Sequence, residues 1–308
     1  MVRESFRTLA YLDLVFQKYK VYEVPVWSLL NGYEELYGNM KRSAAWLNEF
    51  EKPILIDTLE EMHSHYKTQI SNYKEYFPKN KPDEALESTI LLLRMIFKNP
   101  VFREIHPDLP KSFRIEIKDT MVHASNSRFK KLLALSSPLD ENDLEEVIGG
   151  LARLSDLLVD DIIADYKYFK KPFEIELDIV KLNADVFFNR FIGVLAAQFV
   201  SLLETADVPK IATNMFALLK ALRAFDSKYC RIYPGIKKSP AYKNFTIEDW
   251  IAPFILKWLD YLSTLTVEWV TSAVKADNFE ATVTEGGLGQ TGEDSMSHSS
   301  SISDLFTA

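Results

Sequence analysis

Residues 247–279 read IEDWIAPFILKWLDYLSTLTVEWVTSAVKADNF and carry the clearest helical periodicity in the chain. Apolar side chains recur there at alternating steps of four and three residues, the spacing of a helix seam: Ile251, Ile255, Trp258, Leu262, Leu265 and Trp269. About 30 residues at about 1.5 Å each give a rod about 45 Å long, longer than most globular helices. We therefore expect one long helix that lies along several neighbours, with Trp258 and Trp269 as packing residues.

The rest of the chain also predicts helices. It has no Asn-Gly hairpin turn and only 10 glycines in 308 residues, four of them near the C-terminus. The fold class we expect is all-α. Since 308 residues exceed the size at which a single core usually stops growing, we expect two packed units or one elongated array.

Proline positions and apolar periodicity place the individual helices. The predicted segments are 3–22, two or three helices within 25–77, 83–98, 111–135, 140–170, 174–205 and 209–229. The prolines at 100, 107 and 110 predict an extended connector, and Gly149 with Gly150 predicts a kink or a close helix crossing. A helix as apolar on most sides as 174–205 belongs in the middle of a bundle.

A break at Ser136, Ser137 and Pro138 divides the predicted helices into two groups. We expect an N-terminal helical bundle over 1–137 and a C-terminal bundle over 138–280. The composition then turns polar and glycine-rich, which predicts a flexible linker and the start of a truncated helix over 281–308.

Composition and charge exclude several classes of protein. The 44 acidic residues outnumber the 36 basic ones and give a net charge of -8, so nucleic acid is not an expected partner. Cys230 is the single cysteine, which excludes an internal disulfide and fits a reducing, cytoplasmic setting. Charges at Arg3, Glu4, Arg7 and Asp13 interrupt any signal sequence, and the apolar run 191–203 is too short to span a bilayer. We expect a soluble chain whose membrane contacts are peripheral.

The best candidates for catalysis are Asp160, Asp161 and Asp165. Residues 161 and 165 share a helix face, as do the aspartates with which all-α isoprenoid synthases hold Mg²⁺. Those enzymes use DDxxD, whereas this chain has DDxxxD and no second acidic motif. We therefore interpret the three aspartates as a solvated acidic face and keep a magnesium-dependent lyase as the alternative.

No other motif predicts catalysis or a cofactor. His63 and His65 are two residues apart and point to different sides of a helix, so they are interpreted as surface histidines and not as a metal pair. Phosphate-binding loops, dinucleotide fingerprints and nucleophile elbows are absent from the sequence. The sequence predicts no enzyme, no catalytic residue, no metal and no cofactor.

The only concentrated basic loop lies at residues 231–245. It contains Lys237, Lys238 and Lys243, with Arg231 nearby. Such a loop could contact anionic lipid or an acidic partner, or it could be a solvated connection.

Residues 247–279 also carry a family resemblance. Pro253, Phe254, Trp258, Leu259 and Asp260, the helix continuing to Asp277, and then Ser299, Ser301, Asp304 and Phe306 resemble in order and spacing the C-terminal half of the MUN domain. This domain belongs to the uncoordinated-thirteen family of vesicle-priming proteins. The resemblance is clear over about 175–308, weaker and limited to length and pattern over the rest of the chain, and closer to fungal than to neuronal members.

The resemblance implies a curved, elongated rod of stacked antiparallel helical bundles, like those of vesicle-tethering complexes. It also implies a cytoplasmic module at plasma-membrane or vesicle contact sites, anchored by lipid- and calcium-binding domains outside this chain. Its expected partners are a syntaxin-type SNARE and the SM-family chaperone that holds syntaxin closed. A passive helical scaffold in signalling is a further alternative.

The family motif for the syntaxin contact is an Asn followed three residues later by Phe. Asn214 matches the first position, but the residue three further on is Ala217. Phe216 lies about 200° around the helix from Asn214, so we expect Phe216 to face elsewhere, in the core. Asn214 and Phe216 are the candidate partner-binding residues.

Overall fold

A computed structural model describes residues 3–42, 46–77, 83–138, 140, 143–205, 207–243 and 245–276. Every regular element in these ranges is a helix, which confirms the all-α fold class. The α-helices are α1 (Glu4–Lys20), α2 (Val26–Arg42), α3 (Glu51–Ser71), α4 (Tyr73–Tyr76), α5 (Asp83–Phe97), α6 (Pro100–Ile105), α7 (Phe113–Ser136), α8 (Leu144–Ala164), α9 (Lys170–Phe173), α10 (Ile179–Thr205), α11 (Val208–Ile232), α12 (Pro240–Lys243) and α13 (Ile247–Ala276).

Helices α1, α2, α3 and α5 pack together in the N-terminal half. Their apolar faces meet around side chains that are fully buried, such as Phe16, Leu29 and Leu59. Tyr33 links α2 to the end of α5 and to the residues that follow it. Its hydroxyl accepts a hydrogen bond of 3.0 Å from Asn99 Nδ2 and donates one of 3.3 Å to the carbonyl of Met95. The buried hydroxyl of Tyr33 and the amide of Asn99 therefore have partners, as burial requires.

Helices α7, α8, α10 and α11 form the second group, with α8 against α11 and α7 against α8 and α10. Phe188 on α10 lies at its centre, with ring centroids 5.4 to 6.2 Å from four aromatic neighbours: Phe225, Tyr229, Tyr242 and Phe245. Contacts of α3 with α7 and of α5 with α9 join the two groups. The boundary at 137/138 and the rod-like stacking stay predictions, and the expected linker over 281–308 lies outside the described residues.

Two predicted segments differ from the structure. The expected extended connector contains α6, because Asn99 caps it: its side chain accepts from the backbone N–H groups of Val101 and Phe102, and Pro100 occupies the first turn. The predicted helix 140–170 is α8 followed by a π-helical turn at Asp165–Phe169, a type of turn frequent at functional sites.

Gly150 produces the close crossing that the sequence predicts. It is buried, and a Cβ built on it would lie 2.7 Å from the carbonyl oxygen of Ser136 at the end of α7. Glycine therefore allows α8 to approach α7. By contrast, α10 is not enclosed as expected, since Gly193, Ala196 and Ala197 are exposed on its outer side.

Helix α13 forms as predicted, but its packing differs from the expectation. Its buried residues, Ile247, Ile251 and Phe254, all lie in its first turns, where it packs on α11 and α10. Trp258 is partly buried against that core, whereas Trp269 is 54% exposed. Trp269 is therefore not a packing residue among the described residues, because the second half of α13 extends beyond its neighbours.

Candidate functional site

The predicted acidic face turns inward and forms a polar cluster, which we call the carboxylate cluster: Tyr73, Lys74, Arg128, Asp161, Asp165 and Asn183. Lys74 Nζ lies 2.5 Å from Asp161 Oδ2 and 2.8 Å from Asp165 Oδ1. The Arg128 guanidinium donates to Asp161 Oδ1 at 2.9 Å. Tyr73 and Asn183 donate to the two oxygens of Asp165. Elements α4, α7, α8, α10 and the π-helical turn thus meet at two carboxylates.

Burial dominates the electrostatics of this cluster. Asp165 is fully buried, and desolvation raises the pKa of its carboxyl, although Lys74 opposes the shift. Burial beside Asp165 likewise raises the pKa of Tyr73 well above its ordinary value. The expectation of a solvated acidic face is wrong for Asp161 and Asp165, since cations already occupy the positions that a metal would take. Only Asp160 is exposed.

A polar pocket of about 310 Å³ lies beside the cluster, between α3, α4 and α7. Each of its lysines and its arginine is paired with a carboxylate in the structure: Lys67 with Glu116, Lys74 with Asp161 and Asp165, Arg128 with Asp161, and Lys131 with Glu75. The pocket therefore presents little uncompensated positive charge to an anion. Within the described ranges, no group of three His, Cys, Asp or Glu residues could hold a metal ion.

His63 and His65 are partly buried packing residues and not the ordinary surface histidines that the sequence predicts. The His63 ring lies 5.0 Å from that of Phe102, and the His65 ring makes edge contacts with Phe16 and Tyr19. Burial, reinforced by the charge of Lys67, lowers the pKa of His63 to about 4. His63 is therefore neutral at physiological pH.

Asn214 and Phe216 lie on different sides of α11. Asn214 is partly exposed, and its Nδ2 donates to Glu145 Oε2 of α8 at 3.3 Å. Phe216 points to α13, with its ring 5.0 Å from Trp258 and 6.2 Å from Phe254. The structure thus places Phe216 in packing, as the departure from the family motif predicts, and leaves Asn214 beside the exposed Ala217. Their partner-binding role stays a prediction.

The basic loop at residues 231–245 contains more regular secondary structure than the sequence predicts. It contains a 3₁₀ turn at Pro234–Lys238 and the short helix α12. Ile236 is fully buried beneath it, while Lys237, Lys238 and Lys243 are all exposed. The three lysines therefore lie on a fixed support at the surface.

The most unusual surface is on the second half of α13 and was not identified from the sequence. At about 100° per residue, its apolar side chains cover an arc of about 200°, whereas the charged side chains share the remaining sector. We call these residues the apolar arc: Leu256, Leu259, Leu262, Leu265, Val267, Trp269, Val270, Ala273 and Val274. Several are about half exposed or more, including Leu256, Val267, Trp269 and Val274. Within the described residues these four are uncovered, while Leu262, Leu265 and Ala273 of the same arc are partly buried. Scattered single apolar residues would not produce such a surface.

A second concave surface lies between α7, α8 and α10. This cleft has a volume of about 730 Å³ and is lined mainly by apolar side chains, with Gly150 and Gly193 at its walls. Its polar rim includes Asn126, whose Oδ1 accepts a hydrogen bond from Arg190 Nε at 2.9 Å. The cleft carries no constellation of nucleophile and base.

Comparison with known proteins gives one distant similarity that bears on function. The chain is 20% identical over 292 residues to a calcium-dependent secretion activator of Drosophila melanogaster, an alignment that covers 91% of this chain. The same alignment covers 19% of the relative, so the chain spans about a fifth of that protein's length. No family model matches the chain.

The similarity agrees with the resemblance noted in the sequence. It includes the N-terminal half of the chain, where that resemblance is weaker. A secretion activator is also the class of protein that a vesicle-priming resemblance predicts. Among the helices that the structure describes, none has the length and apolarity needed to cross a bilayer.

Proposed function

We propose that this chain is a non-enzymatic interaction module in vesicle exocytosis that engages a syntaxin-type SNARE and promotes SNARE assembly. The distant similarity to a secretion activator supports the process. The observation that carries the mode of action is the uncovered apolar arc of α13, because exposed apolar surfaces of this kind mark protein interaction sites. The syntaxin partner and its SM-family chaperone come from the family resemblance.

The width of the apolar arc restricts the partner. One docked helix covers a stripe somewhat wider than about 100°, so an arc of about 200° accommodates two helices side by side. Within the apolar arc, Trp269 lies on the side of the seam that begins at Ile251. Val267 and Val274 lie near the opposite edge of the arc. A partner that presents two neighbouring helices with apolar stripes therefore fits α13 better than a single isolated helix.

The mechanism is a shift in population. Syntaxin exchanges between a closed state and states that can enter SNARE assembly, and a surface that binds the second kind more tightly raises their fraction. No bond is made or broken, and only the difference in affinity between the two states matters. The module would act in the cytoplasm, at the plasma membrane or at vesicle contact sites.

The Asn214 surface is a second candidate contact for the same partner. It lies on α11, the helix that also supports the packed start of α13 through Phe216. Since the family's phenylalanine position holds Ala217, a contact there would rest on Asn214 and its neighbour Glu145.

The proposal is tested by measuring SNARE assembly on liposomes that carry a syntaxin-type SNARE with its SM-family chaperone. We expect the protein to accelerate assembly with the vesicle SNARE. A passive scaffold would bind neither component and leave the rate unchanged, and that result would overturn the proposal. A magnesium-dependent release of diphosphate from an isoprenoid diphosphate would instead support the lyase alternative, which the ion pairs of Asp161 and Asp165 disfavour.

A further inference from the structure

We propose that residues 227–243, the basic segment, form a surface that binds an anionic membrane. The segment contains no aspartate or glutamate in a chain whose net charge is -8. It contains five cationic residues: Lys228, Arg231, Lys237, Lys238 and Lys243. Positive charge is thus concentrated in one short stretch of an acidic protein, where it attracts anions locally despite the overall charge.

The structure fixes this segment against the helical core. The Tyr242 hydroxyl donates to Asp226 Oδ1 at 2.8 Å, and the Tyr242 ring lies 5.6 Å from that of Phe188. Ile236 in the segment and Phe245 just after it are buried on the inner side. The lysines therefore extend outward from a segment that is already folded, so binding does not carry the entropic cost of ordering the segment.

The cationic groups are available for binding. All five are exposed, and none forms an ion pair with any carboxylate in the described residues. This differs from the polar pocket at α3 and α7, whose lysines and arginine are paired. Five carboxylates lie near the segment: Asp226, which accepts from Tyr242; Asp178 and Asp185, whose charges act on Tyr233; and Glu248 and Asp249, which follow the segment in sequence. Arg223 pairs with Glu248 and Lys181 acts on Asp185, so seven positive charges face five negative ones and the region stays positive.

The side-chain chemistry favours a membrane over other anionic partners. Four of the five cations are lysines, which act as hydrated point charges and suit the diffuse negative charge of lipid headgroups. Recognition of a phosphopeptide or a nucleic acid typically uses the planar fork of several arginines, and this segment has one. The inference goes beyond the proposed function, because it assigns a lipid contact to the chain itself.

The test is co-sedimentation of the whole chain with phosphatidylcholine vesicles that either contain or lack phosphatidylserine. We expect binding only to the vesicles with phosphatidylserine, and weaker binding at high salt. Each lysine near an anionic surface contributes about fivefold, so a triple Lys237→Gln, Lys238→Gln, Lys243→Gln variant should bind about 100-fold more weakly. The single Lys243→Glu variant should also bind more weakly.

The matched control removes the same charge elsewhere. Lys52, Lys98 and Lys118 are exposed and lack ion pairs in the described residues, so their triple glutamine variant should bind nearly as well as the original chain. Equal loss of binding in both triple variants would overturn the proposal, as would the absence of binding to phosphatidylserine vesicles. Binding to an acidic peptide without binding to these vesicles would also overturn it. Since these vesicles carry no SNARE, the outcome is independent of the proposed SNARE contact.

Discussion

Replacement of Lys74 by alanine is expected to lower the free energy of unfolding by about 3–5 kcal/mol. Lys74 lies between Asp161 and Asp165, and its ammonium group also donates to the backbone carbonyl of Asp161 at 3.0 Å. Both carboxylates are buried, and although Asp161 keeps Arg128, the removal of Lys74 leaves the Asp165 charge buried without a cationic partner among the described residues. Urea denaturation at neutral pH measures the effect through the midpoint and slope.

The loss should be smaller at mildly acidic pH. Burial already raises the pKa of Asp165, and without Lys74 the opposing cation is gone. A carboxyl whose folded pKa exceeds its unfolded value binds more protons in the folded state, so the variant gains stability as the pH falls through that folded pKa. Lys131→Ala, which breaks the exposed pair with Glu75, is the control and should cost less than about 1 kcal/mol. A Lys74 variant as stable as this control would contradict a structural role for the carboxylate cluster.

Replacement of Trp269 by aspartate is expected to weaken binding of the syntaxin-type SNARE by about 2–4 kcal/mol, or roughly 30- to 1,000-fold. Trp269 is 54% exposed, so its replacement removes a large apolar contact from the apolar arc without opening the core. Val267→Asp, near the other edge of the arc, should also weaken binding if the partner presents two helices. Isothermal titration with the soluble cytoplasmic region of the SNARE measures both affinities.

Thr264→Asp provides the matched control for both variants. Thr264 is exposed and lies among the charged residues on the polar side of α13, so an added charge there should leave the affinity almost unchanged. If Trp269→Asp binds as tightly as this control, the apolar arc is not the contact surface. If Trp269→Asp alone weakens binding and Val267→Asp does not, the partner presents a single helix.

Local sequence predicts the helices of this protein better than their environments. The apolar seam of residues 251–269 determines that α13 forms, because helical periodicity depends on near neighbours in sequence. The seam does not specify which residues cover it, and the buried residues of α13 all lie in its first turns. Long-range packing, which no short segment encodes, therefore decides that Trp269 is exposed.

The carboxylate cluster shows the same limit. A spacing of four residues correctly places Asp161 and Asp165 on one face of the chain. Their cationic partners come from α4 and α7, with Lys74 almost 90 residues away in sequence, so the spacing alone suggested solvent or a metal. The position of Phe216 was easier to predict, since an angle of about 200° from Asn214 follows from helix geometry alone.

Amide hydrogen exchange tests the central claim most directly, namely that the second half of α13 is the partner-binding surface. Exchange is measured along the chain with and without the soluble cytoplasmic region of a syntaxin-type SNARE. We predict that the partner slows exchange within residues 259–276, because docking covers the apolar arc and suppresses local opening of this part of the helix. Unchanged exchange over 259–276 in a complex that does form, or slowing confined to the turns of α11 around Asn214, would contradict the claim.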